Sequence, residues 1–272
     1  VARSFAVLLA AFALVLGAAS RQAVAEDAAS AGLPHIVSSK TLRVGMSGKQ
    51  PPLNFRSKSG EMMGLEVDLA RALAGLMGVE LKIVEKPFSE LLGALAGGQV
   101  DVVISGMTTT PERSLRASFS GPYYLSGKSI LTRSSSLAQA DESADLNQAS
   151  VKLVALEGST SEQFARTALS KASLVTTRDY DAAVKLLLAN EVTAMVADRE
   201  VVALTAFLNP KAGLATLREP LTIEPIGIAS PLADATLTNY LHNALGALES
   251  SGLMSAVRAR WLERDDWVQQ LP

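Results

Sequence analysis

The sequence predicts an α/β protein built as two similar lobes. Three observations carry this. Short β-rich runs alternate with amphipathic helical stretches along most of the chain. The alternation breaks once, at the polar segment 134–150, and then restarts. A helix-then-strand unit, PFSELLGALAGGQVDVVIS, is echoed later by DYDAAVKLLLANEVTAMVAD. Strand–helix–strand units of this length give parallel sheets, hence the α/β class. The break and the echo favour two lobes over one continuous sheet.

In chain order, TLRVGM at 41–46 is the first strand. Residues 60–64 form a turn, and 66–77 an amphipathic helix stopped at Gly78. Residues 81–85 are a second strand. Pro87-Phe88-Ser89 opens a helix with Ser89 as its N-cap, and Gly97-Gly98 ends it. VDVVIS at 100–105 is apolar on both faces apart from Asp101, as in a strand covered on two sides. Beyond the polar segment, 151–156 is a strand and 161–170 a helix. Residues 174–177 are a strand, 181–189 a helix with Asp181 as N-cap, and 192–197 a strand. A helix over 199–208 stops at Asn209-Pro210, and 223–229 is a further strand. The tail, 235–267, holds two helical stretches divided by Gly252.

Composition removes several classes of function. The 272 residues are 48% hydrophobic and 19% charged, which suits a chain with a substantial core. The absence of cysteine excludes disulfides, thiolate metal sites and a cysteine nucleophile. With 25 basic and 27 acidic residues there is no basic excess of the kind nucleic-acid binders show. His35 and His242 are the only histidines, so no histidine-rich metal site is expected. No G-x-S-x-G elbow, phosphate-binding loop or dinucleotide fingerprint occurs.

Residues 1–25 read as a secretory signal peptide. Arg3 gives a positive start, an apolar run covers 5–19, and Ala23-Val24-Ala25 is a small-x-small cleavage site. The apolar run is short for a span of about 20 residues. The expected product begins at Glu26, is soluble and periplasmic, and carries no lipidated N-terminal cysteine.

The informative stretch is 105–127, SGMTTTPERSLRASFSGPYYLSG. It follows a buried strand, and the tips of parallel strands are where α/β proteins bind ligands. Gly106 permits close approach to the backbone, Thr108 offers a hydroxyl, and Arg113 offers a guanidinium that can grip a carboxylate in two parallel hydrogen bonds. Farther on, Gly158-Ser159-Thr160 places backbone N–H groups at a helix start, another carboxylate site.

These segments resemble the extracellular solute-binding protein family 3, the polar amino-acid binders of ABC importers. The family's G-x-T-x-T-x-E-R and F-S-x-P-Y-Y are matched by GMTTTPER at 106–113 and FSGPYY at 119–124. LRVGMSGKQPPLNF, GLEVDLARALAGLMG, VTAMVAD and the tail GLMSAVRARWLE match further family motifs in order. The resemblance implies a type II periplasmic binding protein fold, with two α/β lobes joined by a two-strand hinge. Lobe 1 would comprise 26–127 plus 226–272, and lobe 2 128–225. Crossings would lie near 123–128 and 222–226, with the C-terminal helices packed on lobe 1.

The resemblance also implies roles. Arg113 would bind the α-carboxylate with Gly106 and Thr108, and Asp198 the α-ammonium. Phe88 would wall the site, and Gly158, Ser159 and Thr160 would supply donors. Where the family often has Asp and an aromatic residue, this chain has Ser47 and Gln50. Gln50 would hydrogen-bond a polar side chain, and Glu157 would favour a cationic one. The implied function is capture of an amino acid by hinge closure and delivery to an inner-membrane ABC permease, by a monomer with no cofactor and no catalytic residue. Nucleic acid is not an expected partner. Alternatives are a secreted enzyme on this scaffold, like the cyclohexadienyl dehydratases, with Glu157 as general acid, or a sensory binding domain.

Overall fold

The computed structural model describes residues 32–272. The signal peptide expected at 1–25 lies outside the described residues. A short helix α1 (Leu33–Ser39) leads into strand β1 (Thr41–Met46). A small antiparallel sheet follows, made of β2 (Lys49–Gln50), β3 (Asn54–Arg56) and β4 (Met62–Met63). Helix α2 (Leu65–Met77) buries Leu65, Val67, Leu69, Ala70 and Leu73 and ends at Gly78 in the left-handed conformation. Strand β5 (Glu80–Glu85) pairs in parallel with β1.

The next helix departs from expectation. Phe88–Glu90 is a 3₁₀ turn, and α3 (Leu91–Ala96) continues from it. Ser89 lies inside the turn and does not cap it. The Glu90 amide instead donates to the Pro87 carbonyl at 2.9 Å, so a tightened backbone turn replaces the side-chain cap. Strand β6 (Val102–Val103) is followed by the single turn α4 (Pro111–Ser114) and then by β7 (Ala117–Ser126).

Strand β8 (Lys128–Thr132) begins directly after β7. Two single turns, α5 (Ser135–Ala138) and α6 (Ser143–Leu146), occupy the polar segment. Then come β9 (Lys152–Leu156), α7 (Thr160–Ala168), β10 (Ser173–Thr177) and α8 (Tyr180–Leu188). The cap of α8 is Asp179, whose Oδ1 accepts from the Ala182 amide at 2.8 Å. Asp181, the expected cap, is two residues too late and turns outward to pair with Lys49 at 3.1 Å. The rest is β11 (Ala194–Asp198), α9 (Arg199–Leu208), β12 (Ala215–Thr216), β13 (Glu224–Pro231), α10 (Ala235–Ser250) and α11 (Leu253–Arg258), continued by a π turn over Ala259–Glu263.

The two large sheets share one plan. Their orders are β5-β1-β6-β13-β7 and β10-β9-β11-β8-β12. Each has three parallel strands, then an antiparallel strand that arrives from the other half of the chain, then an edge. The chain thus crosses between sheets twice, at β7–β8 and before β13. The crossings touch. The Leu221 amide donates to the Lys128 carbonyl at 2.7 Å, and the Lys128 amide to Thr222 Oγ1 at 3.0 Å. A Cβ on Gly127 would lie 2.3 Å from the Thr222 carbonyl oxygen, so only glycine admits this approach.

One core cluster joins α1, β1, α2 and the C-terminal helices. Its centre is an aromatic trio of Phe55, Trp261 and Trp267, with centroids 5.4–5.9 Å apart. The expected packing of the tail on the first sheet is therefore present. A second cluster draws on both sheets, including Phe88 and Met107 from one and Leu156, Tyr180 and Ala197 from the other. No helix among the described residues is long and apolar enough to cross a membrane.

Candidate functional site

The site lies where the strand ends of both sheets face each other. Pro111 sets the first turn of α4, and the Thr110 hydroxyl caps it by accepting from the Arg113 amide at 3.2 Å. That cap turns the Arg113 side chain back toward the strand tip. One guanidinium nitrogen donates to the Thr108 carbonyl at 2.9 Å, and another reaches the second lobe to donate to the Gly158 carbonyl at 3.1 Å. The guanidinium also sits over the Phe88 ring, 5.6 Å from its centroid. Burial lowers the Arg113 pKa, and the carboxylates of Asp198, Glu224 and Glu112 oppose that shift.

Opposite Arg113 stands the start of α7. Ser159 is its cap, accepting from the Glu162 amide at 3.1 Å and donating to the Leu156 carbonyl at 2.6 Å. Glu162 reciprocates by accepting from the Gly158 amide at 2.7 Å. Thr160 Oγ1 lies 3.3 Å from Thr108 Oγ1, a second contact between the lobes. Arg113, Phe88, Thr108, Gly158, Ser159 and Thr160 are thus brought together.

Gly106 has φ 57°. A Cβ there would lie 2.4 Å from Gln50 Nε2, which places Gln50 against the strand tip. Gln50 is buried, and its Oε1 has no partner among the described residues. The Ser47 hydroxyl donates to Asn54 Oδ1 at 3.0 Å, so it serves the loop. Ser47 lines the cleft mouth with Lys49, Glu85, Lys86, Pro87, Phe88, Arg178 and Asp179. Glu157 is exposed at the end of β9, held by its amide to the Thr177 carbonyl at 2.8 Å.

Asp198 ends β11 and stands at the N-cap position of α9, but its side chain makes no cap bond. It accepts instead from Lys128 Nζ. Lys128 is its cross-strand partner on β8, so both side chains leave the same face of the sheet. Glu224 Oε2, on the returning crossing, is 3.5 Å from the same ammonium. Glu200, in the first turn of α9, accepts from Ser126 at 2.6 Å, and its Oε1 is buried without a partner among the described residues. Burial, with Asp198 nearby, pushes its pKa up to about 8. Under the Gly106 loop, fully buried Glu66 accepts from Asn54, the Tyr123 hydroxyl and the Gly106 amide. Burial raises the Glu66 pKa as well.

The sequence reading missed Lys128, Glu224, Glu200 and Glu66. Lys128 carried a signal, since it opens the β-type run KSILT at an expected crossing. A lysine in such a run is buried only with a partner.

The chain matches the family described as bacterial extracellular solute-binding proteins, family 3, over residues 42–264. It is 30% identical to the L-arginine-binding protein of Pseudomonas aeruginosa, covering 86% of this chain and 92% of the relative. It is 28% identical to the cyclohexadienyl dehydratase of the same organism, covering 85% and 86%. Among solved structures, an ancestral arginine-binding protein bound to glutamine is 30% identical with a TM-score of 0.77, covering 83% of this chain and 99% of that one. An ancestral amino acid-binding protein, described as a precursor of cyclohexadienyl dehydratase, is 32% identical with a TM-score of 0.76, covering 84% and 97%. With both the motif order and the two-sheet plan matched, the chain belongs to the bacterial extracellular solute-binding proteins, family 3.

Proposed function

We propose that the protein is the solute-capture component of an ABC importer and takes a polar amino acid between its lobes. Lobe 1 is 26–127 with 226–272, and lobe 2 is 128–225. After export behind the segment 1–25, the protein acts in the periplasm as a monomer and hands its ligand to an inner-membrane permease. Arg113, with Gly106 and Thr108, takes the carboxylate, and Asp198 the ammonium. Phe88 forms a wall. The turn Gly158, Ser159 and Thr160 closes over the carboxylate. Ser47, Gln50 and Glu157 lie toward the ligand's side chain. The observation that carries this reading is Arg113, which is anchored on Thr108 of one lobe and reaches Gly158 of the other. A carboxylate gripped there adds contacts present only when the lobes meet, and such differential contacts drive closure.

The test is thermal unfolding against the twenty amino acids and prephenate, after unfolding and refolding to strip bound solute. A ligand at 100 times its Kd adds about 2.7 kcal/mol. A shift with one or a few amino acids supports the reading, and no shift with any of them defeats it.

A second reading, a dehydratase on this scaffold, draws on the Pseudomonas aeruginosa relative and on Glu200. Raised to about 8, Glu200 holds its proton at neutral pH, as a general acid must. The acid expected from sequence, Glu157, is exposed and lacks that burial. Prephenate consumption by the purified protein decides it.

A further inference from the structure

The cleft contains one buried cation that neither the family motifs nor the capture of a carboxylate requires. The Lys128 side chain is 1% exposed, against 6% for Asp198 and 11% for Glu224. Its position is braced from three sides. Strand register sets it beside Asp198. Its amide is held by Thr222 Oγ1 at 3.0 Å, and the same hydroxyl donates to Glu224 Oε1 at 2.8 Å. The ammonium thus sits between the carboxylate assigned to the ligand's ammonium and a second carboxylate from the hinge.

We propose that Lys128 sets the charge class of the ligand, admitting amino acids with neutral side chains and disfavouring cationic ones. This rests on the amino-acid reading above. Two carboxylates and one ammonium leave the Lys128, Asp198 and Glu224 group with one net negative charge. Arg113 supplies one positive charge on the facing side, so these four groups together are neutral. A zwitterion with a neutral side chain keeps them neutral, with each ligand charge meeting its opposite. A cationic side chain adds a charge with no counterpart among these four groups, which is costly away from water.

The cleft mouth does not supply that counterpart either. At the mouth, Lys49, Lys86 and Arg178 face Glu85 and Asp179, so acids are not in excess. Glu157 is exposed, where solvent weakens its pull on a cation. The inference runs against the preference that Glu157 alone suggested, and it separates this chain from relatives named for binding arginine.

Citrulline and arginine test it, because they differ little in shape and by one charge. Norleucine and lysine form a second pair. Affinities are measured by calorimetry on refolded protein, or by competition against the amino acid with the largest thermal shift. Citrulline should bind at least tenfold more tightly than arginine. Lys128→Met should shift the ratio at least tenfold toward arginine, and Lys128→Arg should preserve it. Glu224→Gln, which removes a negative charge from the same group, should move the ratio the opposite way. That variant keeps the test open if Lys128→Met fails to fold. A parent that prefers arginine, or a ratio unmoved by these substitutions, overturns the inference while leaving amino-acid capture standing. A parent that binds no amino acid defeats the capture reading instead.

Discussion

Glu200→Gln should remove a pH dependence of stability that the parent carries between about pH 5 and pH 8. Glu200 is buried on α9, accepts from Ser126 and lies close to Asp198, Lys128, Tyr124 and Tyr180. Its pKa moves from the ordinary 4.5 of a glutamate to about 8, mainly through desolvation of the carboxylate. Below 4.5 the group is protonated in both folded and unfolded chains and contributes no slope. Between 4.5 and 8 the folded chain keeps a proton that the unfolded chain has released. The folded state then binds more protons, so raising the pH reduces stability, by on the order of 1 kcal/mol per pH unit. Above 8 both states release the proton and the slope ends. Glutamine keeps the shape and an acceptor for Ser126 but has nothing to titrate. Urea unfolding of parent and variant at pH 5, 6, 7 and 8 reads the difference directly. The variant should gain on the parent steadily across this range, by a few kcal/mol in total. Parallel stability curves would refute the reasoning and place the proton elsewhere.

Two further outcomes follow from the site. Arg113→Ala should weaken ligand binding at least about 30-fold, because a buried ligand carboxylate loses its partner at a cost of about 2–5 kcal/mol. The same change should cost only about 1 kcal/mol in urea unfolding, since the side chain packs on a cleft wall. Binding within threefold of the parent, measured by calorimetry, would remove Arg113 from the site. Gly106→Ala should destabilise the fold by about 1–3 kcal/mol, through its left-handed backbone and the displacement of buried Gln50. An unchanged urea midpoint would show that the strand tip accommodates a side chain.

Periodicity made most of the fold legible. Buried helices such as α2 and covered strands such as β9 and β11 write their surroundings into a run of residues. Caps were harder. Asp179 and Asp181 are equally good N-caps by type, and only the helix phase that buries Tyr180 and Ala183 chooses between them. Strand β7 was hidden by Gly121 and Pro122, residues that argue against a strand. It tolerates them because it is an edge strand and its register with β13 shifts there, between Ile226 and Ile228. Arg113 stood out within a motif. Lys128 and Glu224 did not, because each is ordinary in its own segment and their meeting depends on two crossings 94 residues apart in the Lys128–Thr222 contact.

Those crossings have a mechanical consequence. Gly127 lets the second crossing lie against the first, and hydrogen bonds between Leu221, Thr222 and Lys128 sew them together. Two crossings bonded in this way form a ribbon, stiffer against sliding than against twist. On the proposed capture reading, lobes joined in this way open about the ribbon, so a solute held between them meets the same two faces each time they shut. Lys128 sits at the root of that ribbon and also touches Asp198, so one residue ties the joint to the carboxylate that ends β11.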